Sequence, residues 1–471
     1  MLSELGHLPM DFLLLAAAVT LASLGFIAGR LRAEQFSFNG DEHPNSRPNA
    51  HGYFVLMWSL VPVVLVGLGY TFFGEGTSRA ILRSELPAGF SILSPGELTT
   101  YIETVARAAR MPDFLSGERV FDTVTDRYGE IRGTLNLLTL LLACVLSFGG
   151  MVLARRSLSP AFRARQHVES GIEWFLFLCA ALAIATTVGI VASLVFESMR
   201  FFAEVPVWDF LFGTRWNAQT SAEFGALPLF FGTFMISFLA MVVAAPVGLF
   251  AAIYLSEYAS GRVRAIIKPL LEILAGIPTV VYGFFALLVI APTVRTVALW
   301  INAQLIAWGL ADGALLAAQP TSALAAGIVM GIMVIPFVSS LSDDVIRAVP
   351  QSLRDGAFAM GATKSEAIRQ VVVPAALPGI IAALLLAVSR AIGETMIVVM
   401  AAGQRARISP DPTSDLTTIT VQIVSLLTGE SEFDSPKTLS AFALGLVLFL
   451  VTLVFNLVAI TVVKRFREKY E

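Results

Sequence analysis

Residues 343–378 read DDVIRAVPQSLRDGAFAMGATKSEAIRQVVVPAALP. Pro350 lacks an N–H and its ring clashes with the carbonyl four residues back, so a helix is expected to start just after it, with Ser352 as its cap. Leu353, Ala357 and Met360 recur at helical spacing and make an apolar stripe. Gly361 ends that helix. Thr363 followed by Glu366 forms a capping box that opens a second short helix. Pro374 and Pro378 are expected to turn the chain into the next apolar run. The stretch therefore predicts a short amphipathic helix hairpin held between two long apolar segments.

Outward from this loop the sequence is apolar on both sides. Hydrophobic residues make up 56% of the 471 and charged residues 14%, with a mean hydropathy of +0.76. An ordinary soluble domain is about 25% charged. So few charges cannot keep a globular surface wet, which excludes a soluble enzyme. Largely uncharged runs lie at 12–29, 53–73, 133–154, 174–196, 224–256, 273–294, 313–342, about 378–402 and 438–463. Each reaches the roughly 18 residues that a bilayer crossing needs. The fold class expected is an all-α, polytopic membrane helix bundle with nine spans. Residues 12–29 do not read as a cleaved signal peptide, since no positive residue precedes them and Arg30 and Arg32 follow directly.

Orientation follows from the Lys/Arg distribution. With the N-terminus outside, the inner loops 30–52, 155–173, 257–272, 343–369 and 464–471 hold 18 Lys/Arg in 93 residues. The outer segments hold 13 in 150, seven of them in the long 74–132 loop that the rule largely exempts. The remaining one, Arg390, lies inside a span. The expected topology is N-terminus outside (periplasmic) and C-terminus inside (cytoplasmic). Residues 296–311, TVALWINAQLIAWGLA, are uncharged but short and carry Asn302 and Gln304; a helix lying at or dipping into the outer interface is expected there.

Composition divides the chain in two. Residues 1–165 hold three spans and the polar loop 74–132, whose seven Arg and nine acidic residues nearly balance. That loop is expected to be a small folded outer unit, helical around 97–110. Residues 166–471 hold six spans with short connections, and Pro228, Pro246, Pro278, Pro292 and Pro336 fall in or beside them. Membrane helices tolerate proline where neighbours resatisfy the freed carbonyls.

Several chemistries are excluded. A net charge of −3 gives no reason to expect a nucleic-acid partner. Cys144 and Cys179 both sit in apolar runs and read as buried thiols. The four histidines lack metal-ligand spacing, and no phosphate-cradling loop or nucleophile–base arrangement is present. No catalytic residue, metal or cofactor is expected.

The spacing of the hairpin carries more. Asp355-Gly356-Ala357, three residues, Gly361, nine residues, then Val371-Val372-Val373-Pro374 resembles the "EAA" loop of ABC-importer permeases, E-A-A-x-x-x-G-x9-I-x-L-P. Asp355 stands for Glu, Gly356 for the first Ala, and Val371 and Val373 for Ile and Leu. Residues 268–283 (KPLLEILAGIPTVVYG) and 389–400 (SRAIGETMIVVM) resemble the phosphate-specific, PstC-like branch of that family. The resemblance covers roughly 170–465. It implies a six-helix type I permease core, with residues 1–165 as a three-span extension. It also implies a bacterial inner-membrane location, cytosolic ATP-binding subunits docked on the hairpin, a second, PstA-like permease subunit and a periplasmic phosphate-binding protein, all within membrane lipid. ATP hydrolysis would belong to the separate subunits. The docking residues implied are Ser352, Leu353, Asp355, Gly356, Ala357, Met360, Gly361, Val371, Val373 and Pro374.

Arg390 and Glu394 interrupt the eighth run near its middle. A charge at the centre of a membrane helix costs at least about 2.5–3.5 kcal/mol, and such groups usually face a bundle interior or a water-filled path. Their spacing places both on one helix face, where they can pair. A guanidinium offers paired N–H donors to phosphate oxygens. Arg390 is therefore expected to line the substrate path, with Glu394 holding it in place; a structural ion pair is the competing reading. Glu272, beside Lys268, reads as a locally paired residue, and Gly327 with Gly331 as a close-packing pair.

The reading that follows is the membrane-spanning permease subunit of an ATP-driven phosphate importer. A permease for sulfate or molybdate shares the hairpin and differs only in the SRAIGETM run. A self-sufficient secondary transporter or channel would show inverted repeats and would not need the hairpin. An intramembrane enzyme lacks its nucleophile–base or metal constellation.

Overall fold

The computed structural model describes residues 10–38, 45–86, 94–109, 119–218, 221–428 and 434–466. The chain forms two compact units, Met1–Ile184 and Ala185–Glu471, and the division falls inside a continuous helix.

In the first unit, α1 (Met10–Phe38), α2 (Pro48–Glu85) and α4 (Arg119–Arg156) are long apolar helices. The 38-residue α2 and α4 are on the order of 57 Å long, well beyond a ~30 Å hydrocarbon layer. Their polar ends run past the apolar stretches and hold α3 (Pro95–Ala108) between them. Ser94 opens α3 with a capping box: its hydroxyl accepts from the Glu97 N–H, and the Glu97 carboxylate accepts from the Ser94 N–H at 2.9 Å. The bond from the Ser94 backbone, reinforced by its hydroxyl, holds the Glu97 carboxyl below the usual glutamate range. Leu82, Ile102, Val105, Val124, Tyr128 and Ile131 close a small core beneath. Among the described residues of the 74–132 segment, the helix expected around 97–110 is present as α3.

The second unit takes up α5 (Ala164–Glu204) from Ala185 onward. A short helix α6 (Val207–Phe212) and a two-stranded hairpin, β1 (Trp216–Asn217) and β2 (Glu223–Phe224), follow. Then come α7 (Leu227–Ile253), α8 (Gly261–Gly276), α9 (Thr279–Phe285), α10 (Ala291–Ala307) and α11 (Ala323–Arg347). The hairpin helices α12 (Gln351–Ala359) and α13 (Lys364–Ala367) lead to α14 (Val373–Ile392), α15 (Met396–Ala401), α16 (Ile419–Leu427) and α17 (Pro436–Phe466). The centre is α7 against α11. A Cβ on Gly327 would lie 2.6 Å from Leu239 Cβ, and one on Gly331 would lie 2.8 Å from the Ala240 carbonyl. That is the close approach expected of the pair. Ala240, Ala244, Val329, Met330 and Val334, all fully buried, fill the seam.

Among the described residues nine helical segments are long and apolar enough to cross a membrane, and each overlaps one of the nine runs, the eighth ending at Ile392 and not near 402. Four expectations need correction. Residues 296–311 do not form a separate interfacial helix. The sixth span runs unbroken from Thr279 to Ala307 through a π-helical turn at Ala286–Ile290, and at 29 residues, about 43 Å, it overreaches the hydrocarbon layer. Gly276-Ile277-Pro278 instead breaks the 273–294 run at its start, separating α8 from α9. Pro374 and Pro378 do not turn the chain: α13 passes straight into α14 through a π-helical turn at Ile368–Val372. Pro374 falls at the first positions of α14, directly after the wider turn, where its missing N–H is tolerated, and Pro378 lies inside α14. Cys179 is exposed and Cys144 half-buried, because their helices show those faces outward.

Candidate functional site

Two constellations in the second unit carry chemistry. The first is a cavity of about 260 Å³ between α8, α11 and the end of α14, lined among others by Lys268, Glu272, Phe337, Ser339, Asp343 and Arg390. Ser260 caps α8 by accepting from the Val263 N–H. Helical spacing then sets Arg264 and Lys268 one turn apart, facing α11. Both reach Asp343, whose side chain is 2% exposed. Arg264 Nη2 donates to its two oxygens at 2.8 and 3.2 Å, Arg347 Nε donates at 3.1 Å, and Lys268 Nζ lies at 3.4 Å. Lys268 also bonds Asp344 at 3.3 Å. Burial works against the charged amine, but the bonds and charges of Asp344 and Asp343 outweigh it and hold Lys268 above the usual lysine range. The contact is therefore fully present below a lysine's ordinary 10.5 and is lost only as pH climbs through the raised value. Lys268 pairs with these aspartates and not with Glu272.

Arg390 stands at the far side of the cavity, its Cζ 5.5 Å from the Phe337 ring centroid. The expected Arg390–Glu394 pair is not made. The helix stops at Ile392, with Gly393 as its cap, so the two side chains do not share one helix face. Glu394 turns to the next helix: its Oε1 accepts from the N–H groups of Met396 at 3.0 Å and Ile397 at 3.4 Å, and its carbonyl accepts from Thr420 Oγ1 at 2.9 Å. Among the described residues no ion pair of Arg390 is present, and it is exposed to the cavity.

The second constellation is the hairpin. Pro350 itself precedes the first turn of α12, which begins at Gln351 and has no side-chain cap. Ser352 is an exposed residue inside that turn and not its cap. Gly361 terminates α12 at φ +86°, with its N–H on Phe358 O at 2.9 Å and the Ala362 N–H on Ala357 O at 3.1 Å. This is a Schellman ending, which a left-handed glycine permits. Thr363 and Glu366 form the predicted capping box. The apolar stripe splits. Leu353 packs against the buried cluster that includes Ile346, Val349 and Val372, Ala357 is half-buried, Met360 is 88% exposed, and the nearby Phe358 is exposed too. Asp355 is exposed and accepts from Gln351 Nε2 at 3.1 Å. Gly356 is exposed and opens onto free space. Val371 and Val373 are half-buried, and Pro374 is exposed.

One anchor of the hairpin was not read from sequence. Arg354, 12% exposed, grips Glu257, 10% exposed, at 2.9 and 3.2 Å, and donates to the carbonyls of Val349 at 2.5 Å and Ile346 at 2.9 Å. It ties α12 to the π-helical turn Tyr254–Tyr258 that follows α7 and to the end of α11. The helical spacing of Arg264 and Lys268 was a usable signal for the cavity; Arg354 and Glu257 offered none.

Gly361 gives a direct test of the hairpin. A Cβ there meets nothing within 4 Å, so only the backbone objects. Gly361→Val is expected to cost about 1–2 kcal/mol locally, by forcing a branched residue into left-handed backbone. If the coupling role that the EAA-loop resemblance implies holds, the chain should still reach the membrane while ATP-driven uptake falls and nucleotide hydrolysis is uncoupled or its subunit fails to copurify. Normal assembly with normal uptake would remove the hairpin from the mechanism.

Residues 244–469 match the family of binding-protein-dependent transport system inner membrane components. Residues 13–186 match a family described as phosphate ATP-binding cassette transporter. The probable ABC transporter permease protein YqgH of Bacillus subtilis is 34% identical over 282 residues, 59% of this chain and 85% of the relative. The phosphate transport system permease protein PstC of Mesorhizobium japonicum is likewise 34% identical, over 59% of this chain and 85% of its own length. PstC of Xylella fastidiosa is 31% identical over 68% of this chain and 98% of its own. The nine apolar helices among the described residues and these matches define a multi-pass inner-membrane transport permease of the type I ABC-importer class. The chain belongs to the PstC-like branch of the ABC-importer permeases.

Proposed function

We infer that this chain is the membrane-spanning permease subunit of an ATP-driven phosphate importer, passing inorganic phosphate from a periplasmic binding protein to the cytosol. The observation that carries this is the cation-lined cavity containing Arg390, set in the same bundle as the hairpin that ends in Gly361. The PstC relatives at 31–34% identity supply the substrate. Cytosolic ATP-binding subunits dock on the hairpin, against the exposed Phe358 and Met360 among other residues. A second, PstA-like permease subunit completes the path. The N-terminus lies in the periplasm and the C-terminus in the cytoplasm. Arg390 lines the path, while Glu394 shapes it by fixing the turn after Ile392. The test is purification of the tagged chain from native membrane, then reconstitution in vesicles. A copurifying ATPase and a second permease, with phosphate uptake that requires ATP, are expected. Uptake without nucleotide would overturn the reading.

Residues 1–165 act as an accessory unit carrying the 74–132 segment, and 166–471 as the permease proper with the loop 343–378. A chain starting at residue 166 is expected to insert and still bind its ATPase, because α5 and all later helices remain. Complete loss of folding on that truncation would move the boundary.

A further inference from the structure

Ser339 is fully buried on α11 and lines the cavity, yet its hydroxyl has no hydrogen-bond partner among the described residues. Serines and threonines in membrane helices commonly satisfy themselves on the carbonyl one turn back, as Thr233 does on Leu229 O at 2.7 Å and Thr293 on Val289 O at 2.7 Å. A buried hydroxyl left unpaired is unfavourable unless something else enters to bond it. Around it stand two cations, Lys268 and Arg390. Taking the charged residues that line the cavity together with the ion-pair partners of Asp343 and Asp344, Arg264, Lys268, Arg347 and Arg390 stand against Glu272, Asp343 and Asp344, which leaves one net positive charge. The space, about 260 Å³, is several times the ~30 Å³ of one water.

We propose that this cavity is a binding station for a tetrahedral oxyanion, held by Arg390, Lys268 and the Ser339 hydroxyl, with Asp343 as the resident counter-ion that releases Lys268 when the anion enters. The exchange leaves no charge stranded: Asp343 keeps Arg264 and Arg347 when Lys268 swings away. Glu272, on the same wall, opposes tight binding, so the anion can leave again. This deepens the transport reading above and rests on it for the identity of the anion, inorganic phosphate.

The test uses the assembled transporter in vesicles, with inorganic phosphate as probe. Ser339→Ala removes one hydroxyl that bonds nothing in the protein, so a purely structural residue would tolerate it. The station predicts a KM for phosphate raised roughly tenfold or more, the worth of one hydrogen bond to a charged group. Assembly and protein level should be unchanged. Ser342→Ala is the control: that hydroxyl is equally buried and unpaired on the same helix but does not line the cavity, and its KM should stay at the wild-type value. Lys268→Gln should raise KM, and Lys268→Arg should restore part of it. A wild-type KM in Ser339→Ala, or failure of that variant to assemble, overturns the station while leaving phosphate uptake by the parent intact. If the parent carries sulfate or molybdate and not phosphate, the phosphate reading falls. A KM shift for that oxyanion in Ser339→Ala then still supports the station.

Discussion

Arg390→Gln is expected to leave the chain in the membrane at its normal level, bound to its ATPase, while phosphate uptake falls by roughly two orders of magnitude. Removing one member of a desolvated charge contact typically costs about 2–5 kcal/mol, which sets that scale. The geometry makes the outcome cleaner than an ion pair would. Among the described residues Arg390 holds no carboxylate, so its loss strands none; its guanidinium sits over the face of Phe337. Glu394→Gln should behave differently, because the amide oxygen can still accept from Met396 and Ile397. That variant should assemble and keep most of its uptake, whereas Glu394→Ala loses the bond that shapes the turn. The double variant Arg390→Gln/Glu394→Gln should be as inactive as Arg390→Gln alone. Wild-type uptake by a well-expressed Arg390→Gln protein would refute a transport role.

Arg354→Ala should be the most damaging change in the hairpin. It would leave Glu257 buried without a counter-charge and take a donor from two carbonyls. Breaking a fully buried pair from one side costs on the order of 3–5 kcal/mol, which is the upper bound for this largely buried one and enough to loosen the hairpin. The expected result is a chain that inserts but neither retains the ATPase nor transports. Replacing both partners, Arg354→Met with Glu257→Gln, should recover assembly, since no charge is then left unpaired. Pull-down of the ATPase from each variant reads this directly. If Arg354→Ala retains the ATPase in full, the anchor is dispensable.

The hairpin was legible because its signals are local. A capping box, a glycine that must go left-handed and a proline that must precede a first turn act within four or five residues, and the helices formed where those signals put them. Ser352 was misplaced because Pro350 already sets the entry to α12. The Arg390–Glu394 pair was misread because i,i+4 arithmetic presumes an unbroken helix, and Gly393 between them ends it. The anchors were illegible for the opposite reason. Lys268 meets Asp343 across 75 residues and Arg354 meets Glu257 across 97, so nothing in either neighbourhood announces the other. Span positions survived because hydropathy over 20 residues outweighs any single misplacement. The end of the sixth span did not, because Asn302 was read as a polar interruption. Its side chain in fact closes a loop, with Oδ1 accepting from the N–H groups of Leu315 and Leu316 and Nδ2 donating to Leu316 O.

The π-helical turn at Ile368–Val372 makes the hairpin's aim a matter of phase. A turn of that kind holds one residue more than its α-helical counterpart, and each residue of an α-helix advances the azimuth by about 100°. The extra residue is taken up inside that one turn, so the chain before it keeps its facing. Deleting one residue there would restore an α-helical ladder and leave Phe358 and Met360 on nearly the same compass bearing. A deletion in the regular helix beyond, within α14, has no such slack and would swing everything before it, from α12 to Thr363, about a quarter-circle around the axis. In this chain the turn beside Pro374 is thus the place where a one-residue indel changes length and spares the aim.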